Sequence, residues 1–253
     1  MINIKKIFAT AVCCVFCTVA ATACGEDGKS GSTSEKGKEA SGIVNYIAPE
    51  KGDEVIVMTI KDRGDVKIKL FEDEAEKGVE NFVGLAKDGY YDGLTFHRII
   101  NEFMIQGGDP LGNGTGGESI WGDKFEGGTS ENAIHLRGAI AYANSGATST
   151  NGSQFYIVTG EDLTEESFDL YAANGYTFTE DAKKLYMENG GTPFLDGGYT
   201  VFGQVYEGLD IVMDIQTTET DENDKPVEDV IIEKVTVEEY DGEDLKFHMS
   251  DYE

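Results

Sequence analysis

Apolar and polar positions alternate along two early stretches of the chain. Val55-Ile56-Val57-Met58-Thr59-Ile60 and Val66-Lys67-Ile68-Lys69-Leu70 predict two strands, joined by the turn residues Lys61 to Asp65 as a hairpin. In the second strand Val66, Ile68 and Leu70 alternate with lysines, which predicts one buried face and one wet face. The period then changes. Val79, Phe82, Val83 and Ala86 recur at helical spacing and predict a helix over 74–88, with Asp73 as N-cap and Gly89 just past its end. Beyond residue 90 short apolar runs are separated by glycine-rich turns, a pattern of antiparallel sheet or barrel rather than of alternating strand and helix. A short helix is predicted over 207–216, with Leu209, Val212 and Met213 inward, and a last strand over 230–237. Residues 161–192 interrupt the β pattern. There Thr179 caps a helix over 180–189, and Phe168, Tyr171, Tyr176 and Phe178 supply aromatic surface. This segment reads as a surface excursion with its own small packing; the alternative is a partner-binding role. Residues 241–253 are polar and read as a frayed tail.

The amino end follows different rules. Lys5 and Lys6 precede an apolar run from Ile7 to Ala20, too short to span a bilayer comfortably. Residues 1–23 therefore read as a signal peptide. Ala21-Thr22-Ala23-Cys24 resembles the lipobox of bacterial lipoproteins, with Ala21 where leucine is usual, so Cys24 is a candidate lipidation site. An ordinary secretory signal cut after Ala23 is the alternative. Cys13, Cys14 and Cys17 lie within the signal, and the mature chain would keep only Cys24, with no internal disulfide. Residues 25–42 are almost devoid of apolar side chains and read as a flexible tether. Residues 43–240 remain for one folded domain.

Charge narrows the partners. The formal net charge is −28, and removal of Lys5 and Lys6 with the signal takes it to −30. Such a surface argues against nucleic acid, which needs basic patches, and against adhesion of the domain itself to anionic lipid. The chain is expected as a monomer whose one link to a membrane is the lipid on Cys24.

Candidate chemistry concentrates in Phe96-His97-Arg98-Ile99-Ile100-Asn101-Glu102-Phe103-Met104-Ile105-Gln106-Gly107-Gly108-Asp109. The chain has three arginines, Arg63, Arg98 and Arg137, and this stretch sets one of them among apolar residues, where a charge is costly unless something uses it. A permanent cation, an apolar surface and a neutral amide, without a nucleophile, suit the steering of a bond rather than its cleavage. In strand geometry Met104 and Gln106 share one face; so do Gln154 and Tyr156, with Phe155 opposite. The histidines His97, His135 and His248 are too scattered for a metal site. His97 is expected in a core or supporting role, and His135 as part of the barrel structure. Ser153 lacks the nucleophile-elbow frame. Asp221-Glu222-Asn223-Asp224 reads as an acidic turn, the alternative being a calcium site without EF-hand spacing.

The stretch around Arg98 closely resembles the cyclophilin family of peptidyl-prolyl isomerases. Three further stretches agree in order and approximate spacing: Gly114-Thr115-Gly116-Gly117-Glu118-Ser119-Ile120-Trp121-Gly122; Ala143-Asn144-Ser145-Gly146 with Asn151-Gly152-Ser153-Gln154-Phe155-Tyr156-Ile157; and Phe194-Leu195-Asp196-Gly197-Gly198-Tyr199-Thr200-Val201-Phe202-Gly203. The resemblance runs from about residue 54 to 238, apart from the insertion. It implies a mainly β fold: a closed eight-stranded antiparallel barrel capped by two helices, with a partly helical insertion. It implies Arg98 as the catalytic arginine and Gln106 as the residue that positions it. Phe103, Met104, Tyr156 and Leu195 fall on the proline pocket. Ala143 and Asn144 fall where the backbone pairs with substrate, and Gln154, Phe194 and Tyr199 join the substrate-binding set. Tyr156 replaces the phenylalanine of many members and adds a hydroxyl that needs water or a partner. Phe194 and Tyr199 replace the tryptophan and histidine of the best-known eukaryotic members, which implies weak cyclosporin binding. The resemblance requires no metal or cofactor.

The expected function is thus isomerisation of X-Pro bonds in exported, proline-containing polypeptides, at the outer face of the cytoplasmic membrane. The alternative is a non-catalytic proline-peptide-binding module or holdase on the same fold.

Overall fold

The structure, a computed structural model, describes residues 42–252. The signal, Cys24 and the tether to residue 41 lie outside the described residues. Among those described, no helix is long and apolar enough to cross a membrane.

Eight antiparallel strands form one sheet: β1 (Glu54–Ile60), β2 (Gly64–Leu70), β3 (Arg98–Ile100), β4 (Met104–Gly107), β5 (Ala139–Tyr142), β6 (Phe155–Val158), β7 (Val201–Glu207) and β8 (Ile232–Glu239). Their order is β3-β4-β6-β5-β7-β2-β1-β8. The expected closed barrel is not formed. The sheet is an open half-barrel whose edge strands β3 and β8 share no ladder. Between them runs a looser seam, with the isolated bridge Thr95–Ile231 and bonds from Phe96 N to Val230 O (3.0 Å) and from Ile232 N to Leu94 O (2.8 Å). Closure depends on strand tilt and stagger, and a three-residue β3 offers too few ladder groups to complete it.

Among the described residues four helices accompany the sheet rather than the two expected to cap it: α1 (Glu72–Lys87), α2 (Glu165–Ala173), α3 (Glu180–Asn189) and α4 (Leu209–Ile215). In α1 Val79, Phe82, Val83 and Ala86 enter the main core as their spacing predicts, and Gly89 follows with φ 69°. The helix starts earlier than predicted, after Phe71; Asp73 lies inside an acidic first turn, and non-helical dihedrals at Ala75 kink the chain there. Within the insertion α3 begins after Thr179, whose side chain accepts from Ala182 N at 3.2 Å. The insertion also holds a helix that periodicity does not predict, at 165–173, where Thr164 and Ser167 form a reciprocal capping box.

Two expectations about exposure fail. Lys69 is 6% exposed, not on a wet face: residues 43–49 cover it, and its ammonium donates to Val44 O at 3.0 Å and to Ile47 O. Burial pushes its pKa down to about 8. The polar tail is also packed rather than frayed. Tyr240 and Phe247 are buried with Tyr206 and Val55, Lys246 N donates to Tyr206 O at 2.7 Å, and Met249–Tyr252 form a 3-10 turn.

Candidate active site

Arg98, Gln106 and Tyr156 stand side by side on three neighbouring strands. Arg98 pairs with Gln106 across β3 and β4, and Gln106 with Tyr156 across β4 and β6. Residues opposed in adjacent strands project from the same face, so a cation, an amide and a ring line up in one row. The other face sends Ile99, Ile105, Phe155 and Ile157 into the main core. The strand period therefore separates site from core, as read for residues 104–106 and 154–156.

Loops bring the rest. Phe103 ends the β3–β4 turn, where Glu102 takes φ 57°. Ala143 and Asn144 follow β5, Leu195 closes the 3-10 turn Pro193–Leu195, and Tyr199 precedes β7. Arg98, Phe103, Met104, Gln106, Ala143, Asn144, Tyr156, Leu195 and Tyr199 together line a cavity of about 160 Å³. A larger hollow of about 670 Å³ lies between residues 44–54 and 69–74. Its lining cation, Lys69, is already taken up by backbone carbonyls, so the smaller cavity is the candidate site.

Two predicted residues sit just outside that lining. Gln154 accepts from Gln106 Nε2 at 3.0 Å and donates to Gly116 O at 2.8 Å, tying β4 to the glycine-rich loop. Phe194 stacks behind Phe103, ring centroids 5.9 Å apart, and against Tyr171 of α2 at 6.3 Å.

The glycine-rich loop hangs on Asp109, which is 1% exposed and accepts from the backbone N–H groups of Leu111 (2.8 Å), Asn113 (3.0 Å) and Gly114 (2.6 Å). Burial works against its charge, but these bonds outweigh it and hold its carboxyl below the usual range. Asn81 of α1 adds a second brace, accepting from Ile120 N and donating to Gly152 O and Tyr142 Oη.

Two contacts and one missing contact arise only from the folded chain. Arg98 is ion-paired with Asp224 at 3.4 Å, and Ile99 N donates to Asp224 O at 2.8 Å. The acidic turn thus leans on the arginine, whereas Gln106, the expected positioner, directs its side-chain amide to Gln154. The Tyr156 hydroxyl lies 3.0 Å from His135 Nε2, and His135 Nδ1 lies 2.7 Å from Asp196 Oδ1. His135 therefore serves the site as well as the sheet. Finally, His97 is buried with neither ring nitrogen hydrogen-bonded. Only Tyr156 carried a signal, a hydroxyl in need of a partner; nothing local named that partner.

The chain as a whole has known relatives. The family model for cyclophilin-type peptidyl-prolyl cis-trans isomerases matches residues 55–237. A protein of Staphylococcus aureus named as a peptidyl-prolyl cis-trans isomerase is 49% identical over 186 residues, covering 74% of this chain and 93% of the relative. One from Staphylococcus epidermidis is also 49% identical over the same shares. Among solved structures, a cyclophilin-type isomerase of Cryptosporidium parvum superposes with a TM-score of 0.59 at 29% identity, over 74% of this chain and 98% of that one. The same protein crystallised in the presence of the dipeptide Ala-Pro gives 0.58 at 28% identity, over 74% and 99%. With the family model matched over residues 55–237 and relatives 49% identical over 74% of its length, the chain belongs to the cyclophilin-type peptidyl-prolyl cis-trans isomerase family.

Proposed function

We propose that this isomerase acts on X-Pro bonds of exported polypeptides, held at the outer face of the cytoplasmic membrane by lipid on Cys24. The observation that supports the chemistry is the row Arg98–Gln106–Tyr156 facing a cavity walled by Phe103, Met104 and Leu195. Amide rotation faces about 18–20 kcal/mol because resonance stiffens the C–N bond. For X-Pro the two isomers are close in energy and exchange slowly, so a catalyst needs only to favour the twisted state. There the prolyl nitrogen regains its lone pair. In this reading the apolar wall holds the prolyl ring while Arg98 donates to that lone pair or holds the preceding carbonyl, without ever giving up a proton. Arg98 is half-exposed, and an ion pair in that setting is weak, about 0–1 kcal/mol. A substrate can therefore displace Asp224 from it. The crystal structure of the C. parvum relative in the presence of the dipeptide Ala-Pro supports proline-containing peptides as the substrate class.

The enzymatic reading is tested on a short X-Pro peptide with the purified full-length protein. Acceleration is expected; binding without acceleration would favour the holdase alternative. The anchor is supported by the small residues before Cys24 and the polar segment after it. Cys24→Ser should move the protein from the membrane to the soluble fraction, because stable anchoring needs two chains and the diacylated cysteine supplies both. A variant still sedimenting with membranes would overturn the lipid reading.

A further inference from the structure

The insertion reaches the candidate site by two routes. One is hydrogen-bonded. Tyr186 of α3 is fully buried and its hydroxyl lies 3.0 and 2.8 Å from the two carboxylate oxygens of Asp196. Asp196 Oδ1 also accepts from the backbone N–H of His135 at 3.0 Å and faces its Nδ1 at 2.7 Å. His135, 1% exposed, meets the Tyr156 hydroxyl through Nε2 at 3.0 Å. The other route is a stack, Tyr171 on Phe194 on Phe103. Tyr156 and Phe103 both line the cavity.

The carboxylate sets the direction of the chain. A carboxylate only accepts, so Tyr186 donates its O–H to Asp196, and the imidazole tautomer that suits Asp196 carries its proton on Nδ1. In that tautomer Nε2 accepts from the Tyr156 O–H. The hydroxyl hydrogen points away from the cavity, and the ring presents an apolar surface to whatever enters. Without that acceptor a buried hydroxyl would stand unsatisfied beside the ligand, which disfavours binding.

We propose that His135, Asp196 and Tyr186 are positioning residues for Tyr156, and that residues 161–192 through them help set the affinity for the prolyl substrate. The proposal rests on the reading of this cavity as the proline pocket. His135 acts through Tyr156, so its effect must depend on the Tyr156 hydroxyl.

The test uses the full-length protein and the kinetics of a short X-Pro peptide. His135→Leu and Tyr186→Phe are each measured alone and combined with Tyr156→Phe, which serves as the reference background. His135→Leu should raise KM about tenfold, the upper part of what one unsatisfied buried hydroxyl costs, with kcat much less affected. In the Tyr156→Phe background, with no hydroxyl left to satisfy, most of that rise should vanish. Tyr186→Phe keeps its ring and so guards against a folding failure of His135→Leu. It should raise KM about threefold, again only when Tyr156 keeps its hydroxyl. Equal KM changes in both backgrounds, or lower stability with unchanged KM, would overturn the proposal. Failure of the wild type itself to turn over the peptide would instead overturn the pocket reading beneath it.

Discussion

Single residues decide the chemistry here by what they are denied as much as by what they touch. Arg98 is given one carboxylate, Asp224, in a half-exposed setting, and so remains free to exchange it. Arg98→Ala should lower turnover about a hundredfold, as loss of one transition-state donor does, with little effect on thermal unfolding; near-normal turnover would move the active site elsewhere. Arg98→Lys should also be poor, since an ammonium cannot reproduce the planar fork. Neither ring nitrogen of His97 has a hydrogen-bond partner among the described residues. Burial pushes its pKa below the ordinary 6.5, Asp109 opposing and Arg98 and Lys225 reinforcing the shift. The unfolded chain therefore takes up a proton near pH 6.5 that the folded protein refuses until lower pH. The stability this contributes is full above 6.5 and is lost as pH falls towards the depressed folded value. His97→Phe removes both the unpaired nitrogens and the proton uptake. Its denaturant midpoint should fall less than that of wild type between about pH 7 and about pH 5; equal falls would show that His97 titrates alike in both states.

Elements place these residues, and the glycine-rich loop shows how much one side chain can organise. Asp109 follows β4 and gathers the amides of residues 111, 113 and 114 around one carboxylate, so the loop needs no regular ladder. The same loop offers Gly116 O to Gln154 and through it holds Gln106. Asp109→Ala should expose those amides to rapid hydrogen exchange and destabilise the fold by about 1–3 kcal/mol, the cost of leaving buried donors unpaired. Amides that remain protected would mean that the loop holds itself. The hairpin β1–β2, the stripe of α1 and the cap of α3 were legible because each rests on periodicity or cap chemistry within a few residues. The start of α1 was not: a first turn forms from Glu72, with Asp73 inside it and a kink at Ala75, and α2 hides its capping box in a polar run.

At the scale of the whole molecule the sheet is open, and residues 43–49 and 242–252 cover its polar positions. Lys69 lies under residues 43–49, and Lys67 is paired with Glu207 at 3.0 Å and with Glu243. Removal of residues 242–253 would uncover the Phe247 site, break the Glu243 pair and strip Lys246 from Tyr206. A loss of about 2 kcal/mol or more is expected in equilibrium unfolding, from the buried ring alone; an unchanged midpoint would return the tail to the frayed state its composition suggested. That composition misled because polar residues outnumber the two aromatic anchors, and burial is a property of the surface they meet. What the amino-acid sequence determined by itself was the separation of site from core along β4 and β6, because alternation in a strand is local backbone geometry. Motif order then carried the family, and with it most of the cavity lining. Only the tertiary structure decided whether the sheet edges meet, since closure depends on tilt and stagger summed over eight strands. It alone brought His135 to Asp196, 61 residues away, and Asp224 to Arg98, because an interaction between distant segments exists only where the packed chain makes their side chains neighbours.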